Sequence, residues 1–370
     1  MEQRIIYAKQ NYEELEQYLV EQKATSVLLV CDASFPFLQV GHYLEELENR
    51  KKIHFVKFSE FTPNPLYESV VKGVERIKEE QCDFILAVGG GSAIDVAKCI
   101  KLYSNMDSEK NYLEQKIIPN QLPLVAIPTT AGTGSEATRY AVIYYKGEKQ
   151  SVTHESCIPE VVCMDASALK TLPEYQKKAT MLDAFCHAVE SFWSVNSTEE
   201  SRTYAEEAIK LILEHKDDYL ANKEEANEKM LLAANKAGKA INITQTTAGH
   251  AMCYKLTSLY GFAHGHAAAL CVKVLWPYML EHIEDCIDPR GEEHLKTIFE
   301  ALASTMGVEC KEDAIQKFQT LWKELELAIP KIKEEEYELL KKSVNPVRLK
   351  NNPIQLTEEV IEKLYHEISK

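Results

Sequence analysis

Over roughly the first 165 residues, short apolar runs alternate with stretches whose apolar positions recur at helical spacing. The runs are continuous rather than interrupted by polar residues, which is typical of strands covered on both faces. Strands separated by helices predict right-handed βαβ units and a parallel sheet. The predicted strands are Ser26–Cys31, Lys52–Phe58, Asp83–Val88, Leu122–Ile127, Ala141–Tyr145 and Val161–Met164, and the predicted helices are Phe37–Asn49, Leu66–Glu80 and Ser92–Tyr103.

After Leu172 the strand-like runs largely disappear, and helical patterns follow one another. They cover Glu174–Trp193, Glu199–Glu214 and Glu224–Ile243, and Pro173 suits the first turn of a helix. A chain of 370 residues is also long for a single hydrophobic core. We therefore predict two domains: an α/β, Rossmann-like domain at residues 1–172 and an all-α domain at residues 173–370.

The composition of the chain limits the binding partners and the cellular compartment that we expect. The formal net charge of −15 disfavours nucleic acid and anionic membranes, although a locally positive pocket could still bind a small anion. Neither a signal-peptide core at the N-terminus nor an apolar run of 18 residues is present in the sequence. The ten cysteines include no CxxC pair, and several lie inside apolar runs, so we expect free thiols and a cytoplasmic protein.

One segment is unusually poor in charge. From Ala240 to Val272 the only charged residue, histidine aside, is Lys255, although 27% of the whole chain is charged. The segment nevertheless contains many side chains that form hydrogen bonds, including His250 and His264. Buried polar groups need partners, and a metal ion or a ligand could supply them.

Two glycine-rich motifs each follow a predicted strand: Gly89–Lys98 (GGGSAIDVAK) and Pro128–Glu136 (PTTAGTGSE). Glycines let the backbone turn tightly and approach an anion, and the helix that begins in the first motif favours phosphate. The first motif alone could be an ordinary strand-to-helix turn. Two such turns at strand ends of one sheet predict a ligand cleft.

The third motif is a pair, Asp183 and His187, whose i, i+4 spacing places both side chains on one helix face. Taken alone, it could be an ordinary Asp–His contact. His250 and His264 lie in the charge-poor segment, and one carboxylate with three imidazoles could hold Fe²⁺ or Zn²⁺ with a position left for a substrate oxygen.

Together these motifs resemble the iron-dependent (group III) alcohol dehydrogenase family over nearly the whole chain. That family combines a GGGSxxDxxK loop, a PTTxGTGSE segment, a DxxxH pair opening a helical domain, and two further metal-binding histidines fourteen positions apart. The resemblance implies a dinucleotide-binding first domain and a metal-binding second domain. It implies the metal ligands Asp183, His187, His250 and His264, and cofactor contacts from Gly89, Gly90, Gly91, Ser92, Asp95, Thr129, Thr130, Thr133 and Ser135.

The implied activity is that of an oxidoreductase acting on CH–OH groups. The metal would polarise the carbonyl of a small aldehyde, and hydride would pass from NAD(P)H in the cleft between the domains. Many members have a proton-relay histidine four residues after the third ligand, whereas this chain has Tyr254, which is either a proton donor or a packing residue.

Cofactor and substrate preference depend on single residues. Asp32 lines up with a family aspartate that contacts the adenosine ribose, and a carboxylate there would repel a 2′-phosphate, which favours NAD(H) over NADP(H). The alternative is a cap for the following helix. Arg139 and the segment 345–353 resemble a subgroup that includes phosphonoacetaldehyde reductases, so Arg139 is either a ligand for a phosphonate or half of a surface salt bridge.

We therefore expect a small aldehyde or alcohol as substrate, a homodimer as the assembly, and no nucleic-acid or membrane partner. Two other functions stay open. One is an NAD- and metal-dependent lyase similar to dehydroquinate synthase, whose ligand set differs from the one matched here. The other is a non-catalytic dinucleotide- or metal-binding protein, for which Tyr254 is the only support.

Overall fold

The continuous apolar runs near the N-terminus form a parallel sheet in the computed structural model, which describes residues 3–9 and 11–370. Within these residues the sheet has six strands in the order β1-β8-β5-β4-β2-β3, and β6 and β7 form a separate antiparallel hairpin. The strands are β1 Arg4–Tyr7, β2 Ser26–Cys31, β3 His54–Phe58, β4 Phe84–Gly89, β5 Leu124–Pro128, β6 Tyr140–Tyr145, β7 Glu148–Thr153 and β8 Val161–Met164.

Both faces of the sheet are buried, which explains the unbroken apolar runs. On β2, Leu28 and Val30 belong to the hydrophobic cluster on one face, and Val27 and Leu29 belong to the cluster on the other. Helices cover these faces as in other α/β domains. They are α1 Glu13–Glu21, α2 Gln39–Lys51, α3 Tyr67–Glu79 and α4 Gly91–Tyr103.

The remainder of the chain is helical. Long helices pack on one another there, with α5 against α6 and α9, and α8 against α9. The helices are α5 Glu174–Trp193, α6 Glu199–Leu220, α7 Glu224–Thr244, α8 Ala248–Tyr260, α9 His264–Glu281, α10 Glu292–Thr305, α11 Lys311–Glu324, α12 Tyr337–Lys342, α13 Pro346–Leu349 and α14 Glu358–Ile368. The predicted fold class, an α/β domain followed by a helical domain, is therefore confirmed.

The strand prediction needs correction for β6, and it missed β1 and β7. Residues 141–145 do form a strand, but β6 pairs with β7 outside the parallel sheet, and its burial alternates because one face is covered. The prediction also missed β1, which pairs with β8 at the edge of the sheet. With four residues and partial exposure, Arg4–Tyr7 lacks the continuous apolar run that marks the buried strands.

The chain divides into two compact units, Met1–Pro173 with Ala221–Asn235, and Glu174–Leu220 with Lys236–Lys370. The inclusion of residues 221–235 in the first unit has a visible cause, since the Asn235 amide donates to Gln3 and Glu136. We keep the boundary near residue 172 as a proposal, with this segment as an excursion. Among the described residues, no helix is long and apolar enough to cross a bilayer.

A buried lysine on α4 holds the second glycine-rich segment in place. Lys98 has no solvent exposure, and its ammonium donates to the carbonyls of Ser135, Thr138 and Tyr140. Burial lowers the pKa of Lys98, whereas the nearby Asp95 carboxylate opposes that change. Because a buried ammonium needs such partners, these hydrogen bonds hold α4 and the chain at 135–140 together.

Replacing Lys98 by methionine should destabilise the first unit by about 3–5 kcal/mol, because Asp95 and three carbonyls lose a buried cationic partner while the apolar stem is kept. Urea unfolding of Lys98→Met against wild type measures this cost. The control is Lys72→Met, which removes an exposed ion pair with Glu60 (3.2 Å) and should cost about 1 kcal/mol or less. Equal midpoints for both variants would contradict the proposed locking role.

Candidate functional site

The carboxyl ends of β2, β4 and β5 lie side by side and bring three predicted cofactor segments together in the first unit. Asp32 follows β2, Gly89–Gly91 ends β4 and opens α4, and Thr129 follows β5, where its N–H donates to the Gly89 carbonyl at 3.1 Å. Open parallel sheets bind ligands at such an edge, where the chain order reverses.

Glycine is required at this edge because the segments approach closely. A Cβ on Gly89 would lie 2.9 Å from Oδ2 of Asp32 and 2.6 Å from the Cβ of Ala93. A Cβ on Gly91 would lie 3.0 Å from Thr133, so the two glycine-rich segments touch. The first N–H groups of α4 are thus left at an edge where the backbone can be approached, as phosphate binding requires.

Other predicted cofactor residues are engaged inside the protein. Asp95 accepts hydrogen bonds from the Ser135 hydroxyl (2.5 Å) and the Val142 N–H (3.0 Å). Asp32 accepts from the N–H (2.9 Å) and hydroxyl (2.5 Å) of Ser34 through Oδ1, while Oδ2 faces Gly89. Asp95 and Ser135 therefore help to hold the two glycine-rich segments in shape. Asp32 caps the turn at Ser34 through Oδ1, and its Oδ2 lies beside Gly89.

A separate cluster lies within the helical unit. Asp183 and His187 on α5 and His250 on α8 are buried, and one ligand atom from each lies within 4.8 Å of the others. Oδ1 of Asp183 is 4.0 Å from Nε2 of His187 and 3.4 Å from Nε2 of His250. A single ion with bonds of about 2.0–2.2 Å would hold such donors at nearly these separations. The donor set therefore fits Fe²⁺ or Zn²⁺.

The sequence reasoning missed Glu190, which supports this cluster from behind. Glu190 is fully buried and accepts a short hydrogen bond from Nδ1 of His250, as well as bonds from the N–H (3.1 Å) and hydroxyl (2.6 Å) of Thr247. This contact places the Nδ1 proton of His250 toward Glu190 and leaves Nε2 for a metal. The signal was present in the spacing, since Asp183, His187 and Glu190 are i, i+4 and i+7 on one helix.

The charges in the cluster stabilise one another. Burial alone would raise the pKa of Asp183, but His187, His250 and His264 hold it below its ordinary value. Burial lowers the pKa of His250, whereas Glu190 and Asp183 raise it, with a net value of about 9. The two carboxylates and the imidazoles therefore offset part of the cost of burying one another's charges.

His264, the fourth predicted ligand, is the first residue of α9 and lies next to this cluster. It is not one of the three residues whose ligand atoms all lie within 4.8 Å of one another. Its ring centroid lies 5.4 Å from that of His250, and its Nδ1 is 3.6 Å from Sγ of Cys253. The Tyr254 ring stacks on His264 with centroids 5.5 Å apart. His264 as a ligand and Tyr254 as a proton donor both stay predictions.

Two glycines let the helices meet at the cluster, and the sequence reasoning missed both. A Cβ on Gly265 would lie 2.1 Å from the Ala179 carbonyl oxygen and 2.4 Å from Cβ of Asp183. A Cβ on Gly249 would lie 3.1 Å from Oε1 of Glu190. Each glycine directly adjoins a predicted metal-binding histidine, and this adjacency is the signal that could have identified them.

The structure gives Arg139 a different environment from the one predicted for a substrate ligand. Its Nη1 lies 2.8 Å from Oε1 of Glu155, and its Nε donates to the Tyr140 hydroxyl at 3.3 Å. This is the salt-bridge alternative. Phosphonate binding by Arg139 stays a prediction.

The fold and the buried Asp–His cluster define a dinucleotide-type α/β unit joined in sequence to a helical, metal-binding unit. Residues 2–166 match the family model described as iron-containing alcohol dehydrogenase, and residues 177–369 match the model of the C-terminal part of the same family. The chain therefore belongs to the iron-containing alcohol dehydrogenase family.

Similar proteins include two curated relatives. The phosphonoacetaldehyde reductase of Streptomyces viridochromogenes is 32% identical over 65% of this chain, a match that spans only 64% of that enzyme. Alcohol dehydrogenase 4 of Schizosaccharomyces pombe is 30% identical over 92% of this chain and 81% of its own length.

Among solved structures, the sulfoacetaldehyde reductase of Bifidobacterium kashiwanohense in complex with NAD⁺ superposes with a TM-score of 0.86. The two sequences are 25% identical, and the superposition covers 99% of this chain and 97% of the other.

Removing the Glu190 carboxylate should weaken metal binding, because His250 would lose the partner that holds its Nδ1 proton. We expect Glu190→Gln to raise the dissociation constant for Zn²⁺ about 10-fold, and Glu190→Ala up to about 100-fold, as measured by calorimetry on metal-stripped protein. Ser191→Ala, on the same helix as Glu190, is the matched control. It removes a buried hydroxyl that is hydrogen-bonded to the hydroxyl of Thr244 (3.0 Å). Equal affinity in Glu190→Ala and wild type would refute the positioning role.

Proposed function

We propose that this protein is a metal-dependent aldehyde reductase that uses NADH to reduce a small aldehyde to an alcohol. The observation that carries the proposal is the buried Asp183–His187–His250 cluster, whose donors fit Fe²⁺ or Zn²⁺ in a chain of this family. In the finer form of the proposal, the substrate is phosphonoacetaldehyde and the product is 2-hydroxyethylphosphonate. This form draws support from the similarity to the Streptomyces reductase.

In this proposal Asp183, His187, His250 and His264 hold the metal, and Glu190 orients His250. When bound, the metal supplies Lewis acidity for the carbonyl oxygen, and the nicotinamide supplies the hydride. The surrounding apolar helices keep water from the cluster and strengthen its electrostatics. The phenol of Tyr254, stacked on His264, donates the proton that completes the alcohol.

The first unit holds the dinucleotide in this proposal. The N–H groups at the start of α4, around Gly90–Ser92, bind the pyrophosphate, and the threonines of the second segment line the same edge. Oδ2 of Asp32 accepts a hydrogen bond from a ribose hydroxyl, and the negative charge of the carboxylate disfavours a 2′-phosphate. Asp95 and Lys98 maintain the loops from inside the protein.

We also propose a cytoplasmic location. All ten cysteines are free thiols in the structure, and seven of them are buried, including Cys31, Cys99 and Cys271. Such usage suits a reducing compartment, where thiols persist as small apolar core residues.

Removal of the metal should abolish NADH oxidation, and refilling with Fe²⁺ or Zn²⁺ should restore it. Metal-stripped protein is mixed with NADH and short aldehydes after addition of Fe²⁺, Zn²⁺ or Mg²⁺, and the loss of NADH absorbance measures turnover. Mg²⁺ should not restore activity, since it prefers oxygen ligands. Activity in stripped protein, or in Asp183→Ala, would sink the proposal; NADH binding without turnover across all aldehydes would favour a non-catalytic role.

Substitution of Asp32 should change the choice of cofactor. In Asp32→Ala the repulsion of a 2′-phosphate is gone, so the ratio of kcat/KM for NADH to that for NADPH should fall about 10-fold or more. Ser34→Ala is the control, since it removes one hydrogen bond to the carboxylate and keeps the charge. If wild type already prefers NADPH, the role given to Asp32 is wrong.

A further inference from the structure

Most arginines of the described chain have a carboxylate close by. A carboxylate oxygen lies within 4.0 Å of Arg4, Arg50, Arg76, Arg139 and Arg290. Arg348 on α13 is an exception among the described residues: its half-buried side chain donates from Nη1 to the neutral amide oxygen of Gln245, 3.2 Å away. A guanidinium has five N–H donors, so most of those of Arg348 remain available.

The position of Arg348 is set by a network of amides. Gln245 adopts a left-handed conformation (φ 59°), and its Oε1 also lies 3.4 Å from Nδ2 of Asn351. Asn351 donates to the Thr246 carbonyl (3.1 Å) and accepts from the Asn196 amide (3.0 Å). A side chain held in this way is pre-organised for a ligand rather than free to swing in solvent.

The same segment leads directly to the metal-binding cluster. Two residues after Gln245, Thr247 donates to Glu190, which in turn accepts from His250. His250 follows Gln245 by five positions, so their Cα atoms are less than about 18 Å apart. In addition, α13 packs against α8, the helix that carries His250. Arg202, on α6, also has no carboxylate within 4.0 Å among the described residues, and it donates from Nη1 to the Ser197 hydroxyl at 3.5 Å.

An anionic substrate needs such a cation here, because the net charge of −15 otherwise repels it. We propose that Arg348 binds the oxyanion group of the aldehyde substrate, a phosphonate or a sulfonate, and makes the enzyme selective for anionic aldehydes. Two guanidinium N–H groups match two oxygens of either group. The inference rests on the proposed reductase function and replaces Arg139, which Glu155 engages, as the residue that recognises the anion.

The test compares Arg348→Gln with wild type in NADH oxidation with phosphonoacetaldehyde, sulfoacetaldehyde and propanal. The ratio of kcat/KM for each anionic aldehyde to that for propanal should fall at least about 10-fold, mainly through KM, because a charged hydrogen bond is lost. Lys350→Gln, an exposed cation two residues away, is the matched control, and Arg139→Gln tests the earlier candidate. Both should keep the wild-type ratio, and Arg348→Lys should recover part of it.

A parallel loss on all three aldehydes, a fall in Arg139→Gln instead, or a wild-type preference for propanal would overturn the proposal. The anionic aldehyde with the higher wild-type ratio distinguishes a phosphonate from a sulfonate. A binding assay separates this inference from the reductase function: methylphosphonate should bind metal-loaded wild type and bind Arg348→Gln at least about 10-fold more weakly in calorimetry. If wild type reduces no aldehyde, the reductase proposal fails, and equal methylphosphonate binding then refutes the role of Arg348.

Discussion

Glu190 has no exposure to solvent, yet it retains its charge because Thr247 and His250 donate hydrogen bonds to it. A buried carboxylate without such partners would cost several kcal/mol, so α5 and α8 must pack in the one arrangement that supplies them. Gly249 permits that arrangement, since a side chain there would crowd Val272 and Glu190. The geometry of the metal-binding cluster follows from this constraint, because the contact of Nδ1 of His250 with Glu190 leaves Nε2 beside Asp183.

The first unit uses the same principle for a different purpose. Lys98 is buried and Asp95 is half-buried on α4, and each is satisfied by the chain between Ser135 and Val142. Motif residues that resemble direct ligands therefore act partly as internal supports, while Gly90 and Gly91 stay partly exposed at the edge of the sheet. A phosphate group gains from fixed dipoles of this kind, since they need no reorganisation when it binds.

The distribution of charged side chains bears on the proposed choice of substrate. Most arginines of the described chain lie beside a carboxylate, as Arg139 does beside Glu155 and Arg290 beside Asp288. Arg348 instead donates to the neutral amide of Gln245, so its charge can attract an anion.

The sequence by itself determined the fold class, most strands and the three residues of the buried Asp183–His187–His250 cluster. Unbroken apolar runs occur only where both faces of a strand are buried, and glycines, an Asp–His pair and isolated histidines are rare enough in combination to be recognised. Short or half-exposed elements such as β1 and β7 carry no equally strong local signal. Only the tertiary structure decided which oxygen of Asp32 faces Gly89, that Glu190 supports His250, and that Arg139 forms an ion pair with Glu155. These outcomes depend on contacts between residues 16 to 60 positions apart, or on the direction of one side chain, and neither is encoded by local spacing.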